Sequence, residues 1–140
     1  MDYIKSKSEF NLAAAKVLID DQDNFAPSVH CSYYGCLQFI KSKLHSLGII
    51  SYSQMSEDIA KSKQGGMRAL SSHKYPLDLI VKAISEKENL IYAKKINDKV
   101  KELKTFRIMS DYHNVEIDKP KSMKALALSC EVISLIKSKL

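Results

Sequence analysis

The sequence predicts an all-α fold, an up-and-down bundle of four to five helices, and three observations carry that expectation. Apolar residues recur at steps of three and four over long stretches, which places them on one face of a helix. No segment has a convincing strand period. The polar breaks between the periodic stretches are mostly short, as antiparallel neighbouring helices require. At 140 residues the chain reads as a single domain over residues 1–140, long enough to bury a core without metal or disulfide staples.

Taken in order, the first helix is expected from Tyr3 to Ile19, with Tyr3, Phe10, Ala14 and Val17 as its apolar face and Ala13-Ala14-Ala15 favouring helix. The polar run Asp20-Asp21-Gln22-Asp23-Asn24 ends it. Pro27 suits a first helical turn and opens the second helix, in which Val29, Tyr33, Cys36, Leu37, Ile40, Leu44 and Leu47 trace one face until Gly48 stops it. Between Gly48 and Tyr75 the pattern dissolves into polar sequence, with room for a short helix from Gln54 to Lys63 behind a Ser53 cap and a break at Gly65-Gly66. Pro76 starts a helix through Glu86 carrying Leu77, Ile80, Val81 and Ile84, and a longer helix runs from Leu90 to Asp111. Asp118 is a fair N-cap for the last helix, whose expected face is Met123, Leu126, Cys130, Ile133, Ile136 and Leu140.

Composition narrows the function classes. Cys31, Cys36 and Cys130 are odd in number and lack a Cys-x-x-Cys spacing, so they read as buried free thiols in a reducing cytoplasm. No apolar stretch approaches the roughly 20 residues that span a bilayer, and Met1 to Lys5 lacks the apolar core of a signal peptide, so no membrane partner is expected. The formal charge of +6 favours a polyanionic partner, although many lysines are scattered as Lys-Ser-Lys triplets on what reads as a solvated surface. The segment from Lys94 to Arg107 is denser, with Lys94, Lys95, Lys99, Lys101, Lys104 and Arg107 against only Asp98 and Glu102. His30, His45 and His73 have no ligand-like spacing, so no metal site and no cofactor are expected. There is no Gly-rich phosphate loop, Ser-His-Asp order or catalytic carboxylate pair, which leaves kinase, hydrolase and glycosidase chemistry without a basis.

One segment departs from its own period. Ile96, Val100 and Leu103 step by four and three, and the next position of that series is Arg107. A guanidinium in a slot reserved for burial carries a desolvation cost unless it is paired or faces a ligand or a subunit interface. Asp111, four residues on, is one helical turn away and of opposite sign. The pattern fits either a structural Arg–Asp pair or a functional site. Tyr33 lies on the core stripe of its helix, whereas Tyr34 is rotated off it and is available to a cleft or a dimer face.

Three features together resemble one family. The run from Ala26 to Lys41, with Tyr33-Tyr34 among small residues ahead of an apolar stretch, resembles the second-helix signature of HEPN domains. Arg107-Ile108-Met109-Ser110-Asp111-Tyr112 resembles the Arg-x-x-x-Asp-Tyr motif of small stand-alone prokaryotic HEPN proteins, placed at the end of the penultimate long helix. The third is an Ala- and Leu-rich final helix after a short polar loop. The resemblance implies a helical bundle that commonly dimerises and is often encoded beside a minimal nucleotidyltransferase, a possible partner. In many members an Arg-x(4 to 6)-His motif makes a metal-independent endoribonuclease acting as a toxin or defence effector, and Arg107 with His113 fits as Arg-x5-His. Ile108 and Val115 depart from the residues that ribonuclease members carry at those places.

On an unbroken helix Arg107 and His113 are about 9 Å apart along the axis and roughly 120° apart around it, so a composite cleft across a homodimer is the expected way to bring them together. There Arg107 and His113 are the expected catalytic residues, Asp111 orients Arg107, and Tyr112 stacks or hydrogen-bonds at the cleft. The alternative expectation is a non-catalytic HEPN module that binds a nucleotide or a nucleotidyltransferase partner, and the weakest is a helical adaptor with no nucleotide role.

Overall fold

The computed structural model describes residues 2–65 and 68–140, and six α-helices account for most of them. Helix α1 (Tyr3–Asp20) is started by Asp2, whose carboxylate accepts the Lys5 backbone N–H at 3.0 Å. Helix α2 (Phe25–Ser46) ends in a Schellman turn: the Gly48 N–H reaches the His45 carbonyl and the Ile49 N–H the Leu44 carbonyl, both at 3.0 Å, with Gly48 at φ 70°. Helix α3 (Tyr52–Gln64) is capped by Ser51, whose hydroxyl accepts the Gln54 N–H at 3.1 Å. Helices α4 (Lys74–Lys87), α5 (Leu90–Tyr112) and α6 (Lys119–Lys139) follow, α5 capped by Asn89 and α6 by Asp118.

The count of six corrects the expected four to five. The segment after Gly48 is a 13-residue helix that begins at Tyr52, not behind Ser53, because Ser51 stands one residue before the helix and takes the capping bond. Its own apolar content is low, and the attachments are few: Met55 is buried in the core, the Tyr52 hydroxyl donates to Asp2 at 2.8 Å, and the Tyr75 hydroxyl donates to Asp58 at 2.6 Å. The expected break at Gly65-Gly66 falls partly on Gly66, which lies outside the described residues.

Helix α2 is the centre of the bundle, packed against α1, α4, α5 and α6. Val29, Tyr33, Cys36, Leu37, Ile40 and Leu44 are buried along it as their period requires, joined by Ile80 and Ile84 of α4, Ile96, Val100 and Leu103 of α5, and Val132 and Ile136 of α6.

One expected face is turned the wrong way and a second is borne out only in part. On α1, Tyr3 and Phe10 are 67 % and 72 % exposed, and the buried residues are Ser8, Ala15 and Ile19. On α6, Ile133 and Ile136 are buried as expected, but Met123 and Cys130 face outward, and Ser122, Ala125, Leu128, Ser129 and Val132 complete the buried line. Cys31 is partly covered, so of the three expected buried thiols only Cys36 is buried. For α1 the physical reason is its close approach to α2. At the α1–α2 crossing the Ser8 hydroxyl donates to the Gly35 carbonyl at 2.6 Å, and a Cβ on Gly35 would come within 2.9 Å of Leu12 Cδ2 and Cγ. An aromatic stripe has no room at such a crossing, so small residues are selected there and the large ones face out.

Gly35→Val is therefore expected to wedge α1 away from α2 and lower stability by about 1–3 kcal/mol, read as a fall in urea midpoint at unchanged m value. Gly65, at φ −89° and with only the Lys61 carbonyl 3.8 Å from an added Cβ, is the control for substitution of a glycine as such.

Candidate functional site

The arrangement on which the site is built follows from two spacings. On α2, His30, Tyr33 and Tyr34 are three and four residues apart and share one side of the helix; on α5, Arg107 and Asp111 are one turn apart. The packing of α2 on α5 brings these two sets together, and the N-terminal end of α4 adds His73.

Arg107 completes the α5 series Ala93, Ile96, Val100 and Leu103, and it is 8 % exposed. Its guanidinium carbon lies 5.1 Å from the ring centre of Tyr33, 6.0 Å from Tyr34 and 5.6 Å from Tyr112, so aromatic rings surround the charge. One guanidinium nitrogen stands 3.6 Å from Asp111 Oδ2. The Nε is buried with no hydrogen-bond partner among the described residues. Ring faces offset part of the desolvation of the cation, but they accept no strong hydrogen bond, and an unsatisfied buried donor costs about 1–3 kcal/mol.

Asp111 also meets a second group. His30 Nδ1 lies 3.1 Å from Oδ2 and 3.3 Å from Oδ1, so one carboxylate joins the Arg107 cation to an imidazole. The His30 ring rests on Tyr34, with centroids 4.6 Å apart. On the other side of the tyrosines, the Tyr33 hydroxyl is 2.8 Å from His73 Nδ1 and the two rings stack at 5.6 Å. Burial pushes the Tyr33 phenol up to about 12, while the nearby Arg107 charge acts in the opposite sense. A hydroxyl that stays protonated and donates to Nδ1 leaves the His73 ring proton on Nε2. Burial holds the His73 imidazole below its ordinary value, and the positive charges of Arg107, Lys104 and Lys41 push the same way.

Arg107, Asp111 and Tyr112 are thus brought together within one chain. His113 is not. It is the C-cap residue of α5 with extended backbone, φ −99° and ψ 145°; its N–H bonds to the Met109 carbonyl, and its side chain is outside the network. The imidazoles that the chain itself brings to the cluster are His30 and His73. His30 was legible as a neighbour of Tyr33-Tyr34 at helical spacing. His73 was not, since nothing local ties a residue before α4 to a tyrosine 40 positions earlier.

A cleft opens beside this cluster between α4 and α5. It measures about 380 Å³, with Tyr33, Leu77 and Val100 as apolar lining and His73, Lys101 and Lys104 among its polar lining.

An NMR pH titration should place the His73 midpoint below the ordinary 6.5, and Lys104→Gln should move it up by removing a repelling charge. The linked stability change has a definite sign: the unfolded chain takes the proton first, so this site makes the fold less stable as pH falls from about 6.5 through the folded-state midpoint. A His73 midpoint unmoved by Lys104→Gln would contradict the assigned electrostatics.

Comparison of the chain with protein-family models, with curated proteins and with solved structures found no match.

Proposed function

We propose that this protein is a HEPN-like domain that acts on RNA, with Arg107 as its phosphate-engaging cation and metal-independent strand cleavage as its reaction. The observation that carries the reading is the Arg107 environment: a guanidinium held between three tyrosines, leaning on Asp111 and left with an unsatisfied Nε, at the end of a lysine-rich helix. A cation positioned by ring faces and one carboxylate keeps donor capacity for an oxyanion.

In this reading a homodimer completes the site. His113 is exposed at the α5 terminus and takes no part in its own chain's cluster, which suits presentation to a second copy across a two-fold axis. The RNA 2′-hydroxyl loses its proton to a neutral imidazole and its oxygen attacks the adjacent phosphorus. The 5′-oxygen leaves and is protonated, giving a 2′,3′-cyclic phosphate and a 5′-hydroxyl. Arg107 stabilises the charge that grows on the non-bridging oxygens, and Asp111 fixes the guanidinium. A free minimal nucleotidyltransferase is the protein partner that the same reading suggests.

A second reading has its own observation. Arg107 is mostly covered and already shares Asp111 with His30, which is how a structural brace in a non-catalytic nucleotide-binding module is built.

Structured RNA in excess EDTA separates the two. The catalytic reading expects products ending in 2′,3′-cyclic phosphate, a loss of at least about a hundredfold in Arg107→Ala and in His113→Ala, and no cut at a 2′-deoxy position. Folded wild-type protein that cuts no RNA, or a His113→Ala variant that cuts as well as wild type, overturns it in favour of the binding module.

A further inference from the structure

The cleft between α4 and α5 has the size, floor and rim of a small-ligand site. Its volume of about 380 Å³ falls within the roughly 300–1,000 Å³ usual for such sites. The floor is apolar: Tyr33 and Leu77 are almost wholly buried, and so is Val100. The rim is cationic. Lys74 is tied to Asp78 at 3.6 Å, but Lys101 and Lys104 form no ion pair among the described residues. His73 stands beside them, held by its bond to Tyr33, and Asn97 adds a side chain able both to donate and to accept.

An apolar floor next to two unpaired ammonium groups selects a ligand with a flat apolar part and an anionic part joined at short range. A bare anion leaves the floor unused, and an apolar ligand leaves the lysines unused. We propose that the α4–α5 cleft is a nucleotide seat, with the base on the Tyr33, Leu77 and Val100 surface, Asn97 at the base edge, and the phosphate on Lys101 and Lys104. A free nucleoside 5′-phosphate and one unit of an RNA strand present this same chemistry. Tyr33 belongs to both places, its ring facing Arg107 and its hydroxyl holding His73 at the cleft. If the strand is the source, the seat holds the nucleotide next to the phosphate engaged by Arg107; that step rests on the RNA reading, whereas the cleft itself does not.

The test titrates wild type, Lys101→Ala/Lys104→Ala, Asn97→Leu and Arg107→Ala with AMP, UMP, inorganic tripolyphosphate and a 2′-O-methyl oligonucleotide, with the His73 ring shifts as the site readout. Both lysines are at the surface or partly so, and folding of each variant is checked by its helical circular dichroism. The proposal expects the double lysine variant to bind the nucleotide ligand at least about tenfold more weakly, as loss of two charge-assisted contacts requires, and Asn97→Leu to change the preference between AMP and UMP. Mononucleotide binding that meets these terms identifies a free nucleotide as the occupant; the same losses confined to the oligonucleotide identify a strand unit. Binding indifferent to the lysines, tripolyphosphate that matches AMP, or no His73 shift with any nucleotide overturns the seat. Arg107→Ala that leaves RNA cleavage intact overturns the Arg107 reading and does not alter the lysine result.

Discussion

Helix α2 lies against four of the other five helices, and the rest of the structure is arranged by what its different sides require. The side toward α1 is made of small residues, because the two backbones come close enough for the Ser8 hydroxyl to reach the Gly35 carbonyl. The sides toward α4, α5 and α6 are large and branched, and they hold most of the core. Near its N-terminal end the same helix changes from aliphatic to aromatic, with His30, Tyr33 and Tyr34 where an aliphatic layer would otherwise meet α5. That change is what gives Arg107 a place. Aliphatic residues at 33 and 34 would leave only the Tyr112 ring and the 3.6 Å contact with Asp111 to offset the burial of the guanidinium.

Burial of Arg107 and the pairing of Asp111 are therefore one problem. A cation taken from water needs either full hydrogen bonding or a surface with negative electrostatic character, and three ring faces supply the second in place of the first. Asp111 neutralises part of the charge at 3.6 Å, a distance longer than a strong ion pair, and its closer contact is with His30 at 3.1 Å. The carboxylate is thus shared between a guanidinium and an imidazole rather than committed to one. An arrangement selected only for stability would replace such a group by a well-packed apolar residue at little or no loss. Its presence inside a cluster of two histidines and three tyrosines is what marks the region as a candidate site.

The helical class, five of the helix positions and the α2 stripe were legible because the 3.6-residue period of large apolar residues is a local signal. The inward face of α1 was not, and that of α6 only in part, through Ile133 and Ile136. Ser8, Ala15, Ser122, Ala125 and Ser129 are small or polar, and a reading weighted by hydrophobic bulk passes over them in favour of Phe10 or Met123. Closeness of packing is a property of two helices, and a single stripe does not encode it. Helix α3 was only half legible for a related reason: it is held by hydrogen bonds from Tyr52 and Tyr75 to residues distant in sequence, and by few apolar contacts of its own. At the site, Arg107 and Asp111 stood out because a charge broke an apolar period, and that signal is again local.

What local reasoning reaches least well is which imidazoles gather around Arg107. Sequence adjacency singles out His113, yet the helix ends at Tyr112 and the backbone turns to an extended form, so adjacency along the chain becomes separation in space. His30 and His73 arrive by packing instead, one through Asp111 and the other through the Tyr33 hydroxyl. Their surroundings differ. His30 is exposed and meets the Asp111 carboxylate, whereas burial, with the positive charges of Arg107, Lys104 and Lys41, holds the His73 imidazole below its ordinary value. Tyr34 stands between them, its ring centre 4.6 Å from that of His30 and 5.7 Å from that of His73, so one cluster holds an imidazole against a carboxylate on one side and an imidazole against a phenol on the other. Both contacts are made within a single chain, so the surroundings of the two imidazoles are set by the packing of α2, α4 and α5 before any second copy is added.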